Sequence, residues 1–238
     1  MDGQIAALRS IINDSDNIVF FGGAGVSTES GIPDFRSTDG LYSKKYEYPP
    51  ESMLSHTFFM DNTAEFYRFY RDKMIYPDAR PNAAHFKLAE LESQGKVKAI
   101  VTQNIDGLHQ TAGSRCVFEL HGSVHRNFCM RCGAAYPLDH ILRSGGIPRC
   151  GCGGIVKPDV VLYEEPLDQD VMEGAAGAIR AADVLMVAGT SLNVYPAAGL
   201  LRYYRGGRLV LINRSELPHE RDAALVIRGS IGDVLSQV

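Results

Sequence analysis

The run Ile18-Val19-Phe20-Phe21 passes directly into Gly22-Gly23-Ala24-Gly25, and this junction constrains the fold more than any other stretch. An unbroken run of β-branched and aromatic residues predicts a buried strand. The glycines behind it let backbone approach a ligand closely, and Ser27-Thr28 predict a helix cap. A strand, a Gly-rich turn and a helix start together form a cradle for a dinucleotide pyrophosphate. Gly-x-Gly alone is a weak signal, and the third glycine of the usual fingerprint is missing. Beyond it, Gly31-Ile32-Pro33-Asp34-Phe35-Arg36 sets a ring and a guanidinium on a rigid turn.

Other strand-like runs repeat the design. Lys98–Thr102 ends in Gln103-Asn104-Ile105-Asp106, and Val117–Leu120 leads to His121-Gly122. Val160–Tyr163 ends in Glu164-Glu165, Asp183–Ala188 ends in Gly189-Thr190-Ser191, and Arg208–Ile212 ends at Asn213. Helical stretches separate most of these: Ile5, Leu8, Ile11 and Ile12 mark one, Pro81 to Gly95 another, Gly174–Ala182 a third. Strands alternating with helices predict an α/β fold, a Rossmann-like doubly wound parallel sheet with ligands at the strands' carboxyl ends. Ala224–Arg228 reads as a last strand and Gly232–Gln237 as a closing helix. From position alone, Gln103, Asn104 and Asp106 serve either a ligand or a helix cap, and a lone His121 is more often structural than catalytic. The acidic residue expected about twenty positions after the glycines is absent, and the amide of Asn213 is placed to take over its ribose contact.

The remainder forms smaller units. Ser37–Pro50 reads as a loop long enough to act as a lid. From Ser52 to Tyr76 the pattern is helical and rich in rings, the composition of a small core. Cys129-x-x-Cys132 and Cys150-x-Cys152 match a closed tetrahedral zinc site, structural because no ligand position stays open. A redox pair is the competing reading, weakened because two matched pairs are present. Cys116 stands apart as a small buried hydrophobe. The expected domains are 1–36, 96–122 and 155–238 for cofactor binding, 37–95 for a cofactor loop and helical module, and 123–154 for zinc.

Composition limits the function. A net charge of −4 without a basic cluster beside the cysteines disfavours a zinc-ribbon nucleic-acid binder. No apolar run approaches the ~20 residues of a membrane span. The start, Met1-Asp2-Gly3-Gln4, lacks the features of a signal peptide. The expectation is a cytoplasmic monomer with no direct nucleic-acid or membrane partner, its cysteines reduced or metal-bound.

Taken in order, these motifs resemble the sirtuin family of NAD-dependent protein-lysine deacylases, in a compact prokaryotic form. Gly-Ala-Gly-Val-Ser at 23–27, Gly-Ile-Pro-Asp-Phe-Arg at 31–36, Thr-Gln-Asn-Ile-Asp at 102–106 and His-Gly at 121–122 carry the resemblance. The cysteines, Gly-Thr-Ser at 189–191 and Val-Tyr-Pro-Ala-Ala at 194–198 continue it. The resemblance implies NAD consumed as co-substrate, one structural Zn2+ and acetyl-lysine proteins or peptides as partners. It implies NAD contacts at Ala24, Gly25, Thr28, Phe35, Arg36, Gln103, Ile105, Asp106, His121, Thr190, Ser191, Asn213 and Ile231. It makes His121 the general base, with Asn104 ordering the ribose, and gives Val161, Tyr163 and Val194 to the substrate peptide. The implied products are nicotinamide, free lysine and O-acyl-ADP-ribose. An ADP-ribosyltransferase or a non-catalytic NAD sensor is the alternative, needing the same phosphate loop but not necessarily His121 or the peptide strand.

The sequence departs from the family at two places. Tyr163-Glu164-Glu165 stands where the family has Phe-Gly-Glu, making the peptide groove more acidic, and Gly22 replaces a common Thr. Members that take succinyl groups carry Tyr-x-x-Arg on the aromatic helix. Here Tyr67 is followed at that spacing by Tyr70, with Arg71 one position further, so the expected acyl group is short and uncharged, acetyl first.

Overall fold

The computed structural model describes residues 2–35, 40 and 48–238. Six parallel strands form the main sheet, in the order β3-β2-β1-β7-β8-β9. They are β1 (Ile18–Gly22), β2 (Val97–Thr102), β3 (Val117–Glu119), β7 (Val184–Ala188), β8 (Arg208–Asn213) and β9 (Leu225–Arg228). Strand alternation splits the core in two. Ile18, Phe20, Val184 and Met186 face α1 (Asp2–Asn13), α5 (Ala83–Ser93) and α9 (Ile231–Leu235). Val19, Phe21, Leu185 and Val187 face α8 (Gln169–Ala181) and the turn Ala197–Tyr203. Every residue of β1 and β7 is buried, as expected where helices cover both faces of a sheet. The doubly wound fold expected from the sequence is the fold found.

The second unit contains an antiparallel sheet, β5-β4-β6, formed by β4 (Gly122–Cys129), β5 (Ala135–Tyr136) and β6 (Val156–Val160). It shares one core with α3 (His56–Asp61), α4 (Thr63–Lys73) and α7 (Leu138–Arg143), built on Phe59, Phe66, Tyr67, Tyr70, Val124, Ile141 and Val156. Phe59 and Phe66 meet edge to face at 4.9 Å, and Phe66 stacks on Tyr70 at 5.5 Å. Among the described residues no helix is long and apolar enough to cross a membrane.

One local expectation is refined and two need correction. The helical, ring-rich stretch expected from Ser52 to Tyr76 is found as three helices, α2 (Pro50–Met53), α3 and α4. The first break arises because Leu54 O accepts from Tyr163 N and His56 N donates to Tyr163 O, both at 2.9 Å, while Ser55 Oγ caps α3 through Phe58 N. The strand expected over Val160–Tyr163 stops at Val160, and Tyr163 forms only an isolated parallel bridge with Ser55. Behind the glycines stand two short 3-10 turns, Ala24–Val26 and Thr28–Ser30, instead of an α-helix, and Ser27 makes no side-chain cap.

Beneath the sheet edge lie two buried histidines, His85 and His109, with ring centroids 4.7 Å apart. His85 Nδ1 accepts from Asn82 N in a capping box, leaving Nε2 without a partner among the described residues. Neither ring nitrogen of His109 has one, and burial, with His85 beside it, lowers its pKa to about 3. Burial also lowers His85, against the pull of Asp106 and Glu29. Both rings are therefore neutral when folded, whereas an unfolded imidazole takes up its proton near pH ~6.5. Stability is then full above that value and lost as pH falls toward 3. Each group adds a slope of about 1.4 kcal/mol per pH unit within its window. Denaturant titrations at pH 7, 5.5 and 4.5 are expected to give falling stability, with a shallower fall in His109→Gln.

Candidate active site

Strands β1, β2, β7 and β8 end at one edge of the sheet, where the strand order reverses around β1. Such a switch point leaves a crevice, because the loops leaving adjacent strands run to opposite faces. Here it opens into a cleft of about 1100 Å³ between the two units. Ala24, Gly25, Thr28, Phe35, Gln103, Asn104, Ile105, Asp106, His121, Thr190, Ser191, Asn213 and Ile231 all line it, as do Val161, Tyr163 and Val194. Arg36 lies outside the described residues, as does most of the expected lid loop.

The glycine turns after β1 and β7 are joined to each other. Gly25 N donates to Gly189 O at 2.8 Å. A Cβ on Gly25 would meet Gly189 Cα at 2.7 Å, and one on Gly189, whose φ is +58°, would meet Val26 N at 2.5 Å. Gly25 thus supplies close approach, since its N–H is already engaged. Gln103 extends the joint: its Nε2 donates to Thr190 Oγ1 at 3.0 Å. At the end of β8, Asn213 Nδ2 donates to Ser215, leaving its Oδ1 as an acceptor.

A polar chain runs along the floor. Asn104 Nδ2 donates to Ser27 Oγ at 3.0 Å, and Ser27 Oγ donates to Asp106 Oδ2 at 2.7 Å. Asp106 Oδ1 accepts from Leu108 N, fixing the carboxylate from both sides. Ser27 is a site residue that sequence reasoning assigned to a helix cap. The Gly-x-Gly-x-Ser spacing carried the signal, but only folding brings Ser27 between Asn104 and Asp106.

His121 stands where the two units meet. Its Nδ1 lies 2.9 Å from Gln103 O. A carbonyl only accepts, so Nδ1 carries the hydrogen and Nε2 keeps its lone pair. Burial lowers the pKa below the ordinary imidazole value, partly offset by that hydrogen bond. The ring is a neutral base at neutral pH.

On the rim, Val161 N donates to His121 O at 3.0 Å. Both backbone groups of Tyr163 pair with the Leu54–His56 segment. Glu164 follows in the left-handed region at φ 76°, with its carboxylate accepting from Thr57 N at 2.8 Å and Thr57 Oγ1 at 2.7 Å. Glu165 turns inward to His56, Lys157 and Leu162 N. Tyr67 and Arg71 do not line the cleft. The Tyr67 hydroxyl donates to Val156 O, and the Arg71 guanidinium reaches the carbonyls of Ile141, Tyr67 and Gly146.

The sulfurs of Cys129, Cys132, Cys150 and Cys152 lie within 4.8 Å of one another. Contacts of 3.5 Å link Cys129 to Cys152 and Cys132 to Cys150. Zn–S bonds of ~2.3 Å in a tetrahedron set sulfurs about 3.8 Å apart, so the tetrad fits the ion. Arg131 N and Cys152 N point at Cys129 Sγ and Cys150 Sγ, as amides do beside thiolate ligands. A Cβ on Gly154 would meet Cys129 Sγ at 2.7 Å, so only glycine fits that turn.

The Sir2 family description matches residues 23–196. The NAD-dependent protein deacetylase of Clostridium acetobutylicum is 60% identical over 239 residues, covering 99% of this chain and 98% of its own length. That of Clostridium perfringens is 60% identical over 242 residues, covering 100% and 99%. A solved structure of Sir2 with a p53 peptide and NAD+ has a TM-score of 0.85 and 40% identity, covering 98% of this chain and 95% of its own.

Proposed function

This chain belongs to the Sir2 family, and from that premise we propose that its cleft transfers the acetyl group of acetyl-lysine to the ADP-ribose part of NAD, with release of nicotinamide. It is an NAD-dependent protein deacetylase. The observation that carries the assignment of roles is the meeting of the glycine turns, the Asn104–Ser27–Asp106 chain and a neutral His121 in one cleft.

The donor set suits the co-substrate. Thr28, Thr190 and Ser191 with the turn at Ala24 and Gly25 would hold the phosphates, and Gln103 and Asn213 the ribose hydroxyls. Ile105 and Asp106 would hold nicotinamide, the carboxylate accepting from its carboxamide. Ile231 would close the adenine side. NAD supplies, when bound, a ribose carbon whose bond to nicotinamide can break. Asn104 orders the ribose next to that bond, and Phe35, packed against the aromatic core, shields it from competing water. His121 Nε2 takes the proton from a ribose hydroxyl, the general-base step. Val161, Tyr163 and Val194 flank the acyl-lysine peptide. The zinc held by the four cysteines supports the small unit and takes no part in the chemistry. The reading includes a cytoplasmic monomer acting on proteins, with nucleotide-binding segments 1–36, 96–122 and 155–238 separate from the helical and zinc modules.

The test is mass spectrometry of an acetyl-lysine peptide incubated with and without NAD. Loss of the acetyl mass only with NAD, matched by nicotinamide and O-acetyl-ADP-ribose, is expected. ADP-ribosylated peptide without deacetylation would favour the transferase alternative. With succinyl-lysine in the same peptide, kcat/KM is expected to fall at least roughly tenfold, because the extra carboxylate leaves water while the Arg71 guanidinium is held by the Ile141, Tyr67 and Gly146 carbonyls away from the cleft. A preference for succinyl would show that Arg71 or another cation reaches the pocket.

A further inference from the structure

Glu164 combines three features that its neighbours lack. It is exposed on the cleft wall, yet its backbone is fixed at φ 76°, a conformation that a residue with a Cβ rarely adopts. Thr57 binds the carboxylate through N–H and hydroxyl, and these bonds hold the carboxyl below its ordinary pKa. The carboxylate is therefore ionised throughout the neutral range and restricted in direction. Among the described residues its charge is also without a lysine or arginine partner, with only the His56 ring acting on it through space. Glu165 has Lys157 Nζ at 3.0 Å, whereas among the described residues no lysine or arginine nitrogen lies within 4.0 Å of the Glu164 carboxylate. Finally, neither the N–H nor the C=O of Glu164 bonds to another described backbone group, unlike those of Tyr163. An arriving peptide therefore meets free main chain and a fixed negative charge at the same residue.

We propose that Glu164 makes this enzyme select acetyl-lysine sites flanked by arginine or lysine. The inference rests on the deacetylase reading of the cleft. Pre-ordering by Thr57 matters because an exposed ion pair normally loses much of its benefit to side-chain entropy. Here one partner is already ordered before the peptide arrives. The effect belongs mainly in KM, since the charge touches the flanks of the substrate and not the reacting atoms.

Three acetyl-lysine peptides, alike except for arginine, alanine or glutamate flanking the modified lysine, test this with NAD saturating. Arginine is expected to exceed glutamate in kcat/KM by roughly fivefold to tenfold. Raising salt to about 0.5 M is expected to shrink the ratio. Glu164→Gln keeps an acceptor for Thr57 but removes the charge, and is expected to bring the ratio within about twofold of unity. Glu164→Lys is expected to reverse it. Turnover with equal kcat/KM for all three peptides, or a ratio unchanged in Glu164→Gln, overturns the inference and leaves the deacetylase reading intact. If the variants do not fold, a wild-type ratio insensitive to salt overturns it instead. No turnover on any peptide overturns both.

Discussion

Replacing His121 with alanine is expected to lower deacetylation by roughly 10²–10⁴-fold while NAD binding and folding persist. Among the described residues the ring forms one hydrogen bond, from Nδ1 to Gln103 O, and no described core strand depends on it. What is lost is the Nε2 lone pair at the junction of the two units. The same reasoning gives a pH dependence. Only the neutral ring accepts a proton, and burial lowers its pKa. Activity should therefore rise with pH through a midpoint below the usual ~6.5 and stay level above it. Deacetylated peptide measured from pH 5 to 8, with NAD binding by calorimetry at pH 7.5, checks both. Near-wild-type turnover in His121→Ala would remove the imidazole from the mechanism and favour an NAD sensor.

The zinc centre should give an effect of comparable size on stability. Structural thiolate sites bind Zn2+ with about 10–16 kcal/mol, and that free energy is part of folding. In this chain the consequence reaches the cleft through β6, which starts at Val156 beside the tetrad and ends at Val160 on the rim. Cys129 and Cys150 also belong to the core containing Phe59, Phe66 and Leu162. Cys129→Ser or chelation is therefore expected to lower the melting temperature of the small unit and activity together. Elemental analysis alongside thermal melting checks it, with one zinc per wild-type chain. A folded, fully active and metal-free protein would contradict a structural role.

The buried tyrosine network shows how folding placed Arg71. Sequence spacing alone left Arg71 able to reach a substrate carboxylate. In the fold its guanidinium is held by the carbonyls of Ile141, Tyr67 and Gly146, and Tyr67 is closed inside the aromatic core. Neither side chain faces the cleft.

Much else was decided by the sequence itself, wherever the cause is local. Short β-branched and aromatic runs ending in glycine read as buried strands, so Ile18–Phe21 and Asp183–Ala188 were legible without a fold. Asn82 ahead of α5 and Gly95 after it marked that helix, because caps act within a few residues. Paired cysteines carry their own coordination geometry. The tertiary structure decided what depends on partners far along the chain. Ser27 looked like a cap until Asn104 and Asp106, brought by β2, took its hydroxyl into a relay. The strand expected over Val160–Tyr163 ended early because Leu54 and His56 captured Tyr163, and the same pairing separates α2 from α3. Glu164 holds a left-handed backbone with its carboxylate bound by Thr57, a partner more than a hundred positions away that topology supplies. Local propensity is set by a residue's own torsions and near neighbours. The hydrogen-bond partner that overrides it is supplied by topology.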